Sequence, residues 1–63
     1  MTKIKIARLA IGLHQSDLAK AMGTTQGAVS QWEKGLTKPT AGKLKRLAEI
    51  LNVTVDELLD EGE

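Results

Sequence analysis

The side chains in this 63-residue chain that could do chemistry are carboxamides, hydroxyls and cations, and the amides crowd into one stretch, Gln15 to Lys34, QSDLAKAMGTTQGAVSQWEK. Gln26, Gly27, Ser30 and Gln31 fall on one arc of a helix whose opposite side carries Val29 and Trp32 at i, i+3. A glutamine carboxamide sets a donor beside an acceptor, the arrangement that meets adenine N6 and N7, and a good bidentate contact discriminates by roughly 1 to 3 kcal/mol. Ser30 can donate to a base or a phosphate, and Gly27 leaves room for a close backbone approach or a thymine methyl. The arc suits reading base edges rather than breaking bonds. There is no cysteine and one histidine, His14, so no thiolate nucleophile, disulfide or zinc site can be assembled. No acid pair sits in a Gly-rich phosphate cradle, and so short a chain has little volume for a water-excluding cleft. An enzyme is excluded on these grounds, and no metal, cofactor or small-molecule substrate is expected.

Two helices must position that arc. Leu18, Ala19 and Met22 form the apolar stripe of the first, which ends at Gly23, and Val29 with Trp32 forms the stripe of the second, which runs to about Lys34 and stops at Gly35. This is the pattern of a helix-turn-helix. The first helix starts near Gln15 or Ser16, where Ser16 or His14 caps it and Asp17 complements its dipole; Thr24 or Thr25 caps the second. Gly27 inside a helix costs about 1 kcal/mol against alanine, so either something needs the space or tertiary packing overrides propensity. Ahead of the pair, a helix over Lys3 to Ile11 places Ile4, Arg8 and Ile11 on one face with Leu9 beside it, Gly12 as the stop and Leu13 turned inward. Behind it, Leu36 to Pro39 form a loop, Thr40 caps a helix with Leu44, Leu47, Ala48 and Leu51 inward, and Thr54 with Glu57 forms a capping box stapled by Val53 and Leu58. Val55, Leu58 and Leu59 face inward, and Asp60 to Glu63 read as a fraying acidic tail. No segment alternates with period two for long enough to be a strand. The expected fold is all-α, a single domain over residues 1–63 built as a compact bundle of five short helices.

Net charge is +1, but the charges are segregated. Residues 1–46 hold all nine bases against two acids, Asp17 and Glu33, whereas residues 47–63 hold six acids and no base. A basic body with an acidic end suits a polyanion such as DNA, the acidic end turned away, although an ordinary solvated surface is the plainer alternative. No apolar run approaches the roughly 20 residues of a membrane span, and the N-terminus lacks a signal-peptide core. A cytoplasmic protein without membrane contact is expected.

Arg8, Leu13, Gln15, the Leu18-Ala19 pair, Gly23, Gln26, Val29, the run Gln31-Trp32-Glu33-Lys34-Gly35, the apolar face of helix 4, and Val55 with Leu58-Leu59 carry a resemblance that covers essentially the whole chain. The chain resembles the lambdoid phage repressor and Cro class of helix-turn-helix DNA-binding domains, the XRE type, whose lambda repressor-like fold packs five short helices round one core. It departs from that pattern at His14, where Thr, Ser or Asn is usual as a helix cap, and at Gly27, where many members present a base-reading side chain. The first departure leaves the cap unassigned; the second removes a readout contact.

The resemblance implies a prokaryotic or phage-encoded transcriptional regulator, read here as a repressor, whose third helix enters the major groove of a double-stranded operator. Base-reading residues are then Gln26, Gly27, Ser30 and Gln31. Phosphate contacts fall to Gln15, which also braces Gln26, and to Thr25, Lys34, Thr37, Lys38 and Lys43, with the loop around Lys38 following the DNA backbone. Lys3, Lys5, Lys20, Lys45 and Arg46 add only long-range field. Arg8 and Glu33 lie on or near apolar faces, and the family uses these positions for a structural ion pair; Trp32 is core. One recognition helix covers too few bases to be specific, so a homodimer on a pseudo-palindrome is expected, joined through Asn52 to Leu59 with Val53, Val55 and Leu58 at its centre. The alternative is an antitoxin-type or protein-docking module, for which the exposed acids of helix 5, Asp56, Glu57 and Asp60, would serve.

Overall fold

Five helices follow one another in the computed structural model, which describes residues 1–59: α1 (Thr2–Ala10), α2 (Gln15–Met22), α3 (Gln26–Lys34), α4 (Ala41–Leu51) and α5 (Val55–Leu58). No strand occurs among the described residues, and no helix among them is long and apolar enough to cross a membrane. The acidic tail from Asp60 onward lies outside the described residues.

The helices α2 to α5 each start on a local side-chain contact. Thr25, Thr40 and Thr54 place Oγ1 on the backbone N–H of Ala28, Lys43 and Glu57, at 3.1, 3.4 and 3.1 Å. At α2 the work falls to Asp17, whose carboxylate accepts from the His14 N–H at 3.0 Å. His14, one of the two expected candidates, is the N-cap residue, and Asp17 closes a capping box with it while facing the positive end of the helix dipole. Gly23 ends α2 at φ +67°, and the Thr24 N–H reaches back to the Ala19 carbonyl at 2.9 Å. That left-handed residue is what turns the chain sharply enough to start α3 three residues later. Asn52 ends α4 in the same way at φ +58°, a conformation asparagine tolerates.

The core is one cluster: Ile4 from α1, Leu18 and Ala19 from α2, Val29 and Trp32 from α3, Leu47, Ala48 and Leu51 from α4, Leu58 from α5, and Met1, whose amino group donates to the Trp32 carbonyl at 2.7 Å. Trp32 is core as expected. Three apolar side chains are not. α1 ends at Ala10, one residue short of the expected end, so the turn through Gly12 swings Ile11 off the inner face and leaves it 46 % exposed; Leu9 is 57 % exposed. α5 ends at Leu58, and extended Leu59 leaves the helical register and is 40 % exposed.

Candidate nucleic-acid interface

Inside that frame a chain of polar contacts runs from α1 to the first residue of α3. Arg8 Nε donates to Glu33 Oε2 at 2.7 Å and Arg8 Nη2 to Glu33 Oε1 at 3.0 Å, a bidentate pair with both residues buried. Arg8 Nη1 donates to the Leu13 carbonyl at 2.8 Å, which ties the α1–α2 turn to the same guanidinium. Among the described residues no buried side-chain nitrogen or oxygen lacks a partner, so the desolvation of the two charges is matched by hydrogen bonds.

Burial alone would push the Glu33 carboxyl up, but the hydrogen bonds from Arg8 and Gln15, with the positive charges of Arg8 and Lys5, outweigh it and hold the group below its usual value. The hydrogen bond to Glu33 pushes the Arg8 guanidinium up, against the opposing effect of its burial. Both groups are therefore charged at neutral pH. An ionised carboxylate only accepts, and this fixes the next link. Gln15 must turn its NH2 inward, and Nε2 donates to Glu33 Oε1 at 3.0 Å. Its Oε1 then points outward and accepts from Gln26 Nε2 at 3.4 Å. Gln26, exposed at the start of α3, retains its carbonyl oxygen and one N–H for a ligand.

The arc read from the sequence is open to solvent. Gln26, Gly27 and Gln31 are exposed and Ser30 is half-buried, opposite buried Val29 and Trp32. Gln31 Oε1 faces the Thr37 hydroxyl at 3.5 Å, which links the middle of α3 to the following loop. Thr25, Lys34, Thr37, Lys38 and Lys43 are exposed and Gln15 is half-buried. The Thr25 oxygen is occupied by the cap, which leaves its O–H proton as a donor. Lys43 Nζ lies 6.0 Å from the centre of the Trp32 ring, at the limit of a cation–π contact. Arg46, read only as long-range charge, donates to the Ala21 carbonyl at 3.4 Å near the end of α2.

The Arg8–Glu33 pair was legible in the sequence; the Gln15–Glu33 and Arg8–Leu13 bonds were not. Nothing in the spacing of Gln15 and Glu33, eighteen residues apart, announces a contact. At the other pole, Val53 and Val55 are half-buried while Leu58 has no exposed surface, so Leu58 supports that face from beneath.

Comparison with known proteins places these features in a context. Residues 4–58 match the helix-turn-helix family model HTH_3. The chain is 35 % identical over 57 residues to the HTH-type transcriptional activator BcrR of Enterococcus faecalis, covering 90 % of this chain and 28 % of that protein. It is 33 % identical over 57 residues to Repressor protein C2 of Salmonella phage P22, covering 90 % of this chain and 26 % of the repressor. An uncharacterized HTH-type transcriptional regulator of Sinorhizobium medicae is 28 % identical over 60 residues, 95 % of this chain and 43 % of that protein. The chain therefore spans less than half the length of these relatives. No solved structure gave a match.

Proposed function

The chain belongs to the helix-turn-helix family HTH_3, and from that premise we propose that it binds double-stranded DNA, laying α3 in the major groove and regulating transcription as a repressor at a two-fold operator. The observation that carries this reading is the polarised contact chain from Arg8 through Glu33 and Gln15 to Gln26. A core that fixes an exposed amide with one carbonyl oxygen and one N–H outward prepays the ordering of a base-reading group. That pair of groups matches adenine N6–H and N7. Gln15, Thr25, Lys34, Thr37, Lys38 and Lys43 ring the arc and hold phosphates, which set position and supply most of the affinity. The relatives include both an activator, BcrR, and a repressor, C2, and what favours repression is physical: a domain seated on an operator blocks access without further machinery.

The functional unit on DNA is a homodimer. α1 and α5 flank an open apolar groove of about 380 Å³ lined by Ile6, Ala7, Ala10, Val53 and Leu58, with Lys3 and Glu57 at its rim. Ile6 is 60 % exposed there. A second copy related by a two-fold axis sets Lys3 of one protomer against Glu57 of the other, twice, over an apolar centre that includes Val53 and the adjoining Val55. The test of the DNA-binding reading is a duplex selected from a random pool and titrated against a scrambled duplex at several salt concentrations. Affinity should fall linearly in log salt, and the selected duplex should hold its preference throughout. Equal, salt-insensitive binding of both duplexes would reject it.

A further inference from the structure

We infer that Gly27 determines specificity by having no side chain, the gap serving the duplex and not the protein, and that a thymine C5 methyl fills it. This rests on the DNA-binding reading above. Gly27 is helical, and its φ lies outside the left-handed region, unlike Gly12, Gly23 and Gly35. A Cβ placed on it meets only Thr25 Oγ1, at 3.9 Å, an ordinary contact. Neither backbone nor packing therefore calls for glycine, although a helical glycine weakens a helix relative to alanine. Tertiary packing, the bland explanation for this residue, has no atom in place to require it.

What surrounds the gap points outward. Gly27 is exposed on the arc between Gln26 and Gln31, so the space beside it opens on whatever α3 faces. The major groove exposes one apolar group, the thymine C5 methyl, and bare backbone beside amide donors lets that methyl come close where a side chain would stand in its way. Gly42, the other helical glycine with room for a Cβ, lies outside this arc and supports no such argument.

The test exchanges the methyl between protein and DNA. The duplex that the wild-type chain selects from a random pool is bound by wild type and by Gly27→Ala, and each thymine is replaced in turn by deoxyuridine. Gly27→Ala should raise the thermal midpoint, by up to roughly 4–8 °C, because the helix gains alanine. It should lose about tenfold or more in affinity for the thymine duplex and recover most of that loss with deoxyuridine at one position per half-site. Wild-type affinity for the thymine duplex in the variant, a lowered midpoint, or a loss that no deoxyuridine relieves would each overturn the inference. If the wild type selects no duplex at all, the DNA-binding reading falls first and this inference with it.

Discussion

Gln15 and Arg8 donate to the same atom, Oε1 of Glu33, each at 3.0 Å. One carboxylate oxygen thus collects a guanidinium from α1 and an amide from the start of α2, while its own backbone belongs to α3. The first three helices meet at that oxygen, and the orientation of the Gln15 amide follows from its charge.

Gln15→Ala should therefore affect recognition more than folding. Loss of a half-buried hydrogen bond costs about 1 kcal/mol, so the urea midpoint should drop modestly. Base preference at the position read by Gln26 should relax, and a double-mutant cycle with Gln26→Ala on the selected duplex should show coupling of about 0.5 kcal/mol or more. Strict additivity would mean that Gln15 does not brace Gln26.

Truncating one member of the ion pair is a different matter. A buried charge left alone costs roughly 3 to 5 kcal/mol, against a total stability for a domain of this size on the order of 3 to 9 kcal/mol. Arg8→Ala and Glu33→Ala should each be close to unfolded in urea titrations in which the exposed control Lys20→Ala is unchanged. Arg8→Met combined with Glu33→Leu should lose less than the two alanine variants summed.

The depressed Glu33 carboxyl predicts an acid limb. The folded state favours the ionised form, so the contribution of the pair is complete above the ordinary value of 4.5 and is lost as pH falls through the lower folded value. Urea midpoints should not respond to this group between neutrality and pH of about 5 and should fall below that. In Glu33→Gln, if it folds, that part of the acid dependence should be absent.

Self-association should respond to the groove rim. Lys3→Glu and Glu57→Lys alone place like charges across the two-fold and should weaken the dimer in sedimentation equilibrium; combined in one chain they should restore it. Ile6→Asp should abolish it. Association that ignores all of these changes would move the interface elsewhere.

The helices were legible because each carries an apolar stripe at helical spacing, and Gly23 and Thr54 mark boundaries that the structure keeps. The exposed arc was legible for the same reason, since Val29 and Trp32 fix which side of α3 is buried. The misreadings lie at helix ends. Periodicity places Ile11 and Leu59 inward only if their helices continue, and both helices stop one residue before them. At α2 His14 takes the N-cap rather than Ser16, and Asp17 three residues on reaches back to the His14 N–H, a geometry that residue type alone does not announce. The Gln15–Glu33 bond depends on the packing of two helices and leaves no mark in local spacing.

The most direct test of the account is base preference in a randomised duplex library bound by wild type, Gln26→Ala and Lys38→Ala. Gln26→Ala should lose preference for adenine at one position per half-site and keep the remainder. Lys38→Ala should weaken every sequence alike and reduce the slope of log affinity against log salt by about 0.9 per protomer, roughly 1.8 for the dimer. A Gln26→Ala profile identical to that of the wild type would contradict the assignment of α3 as the reading helix.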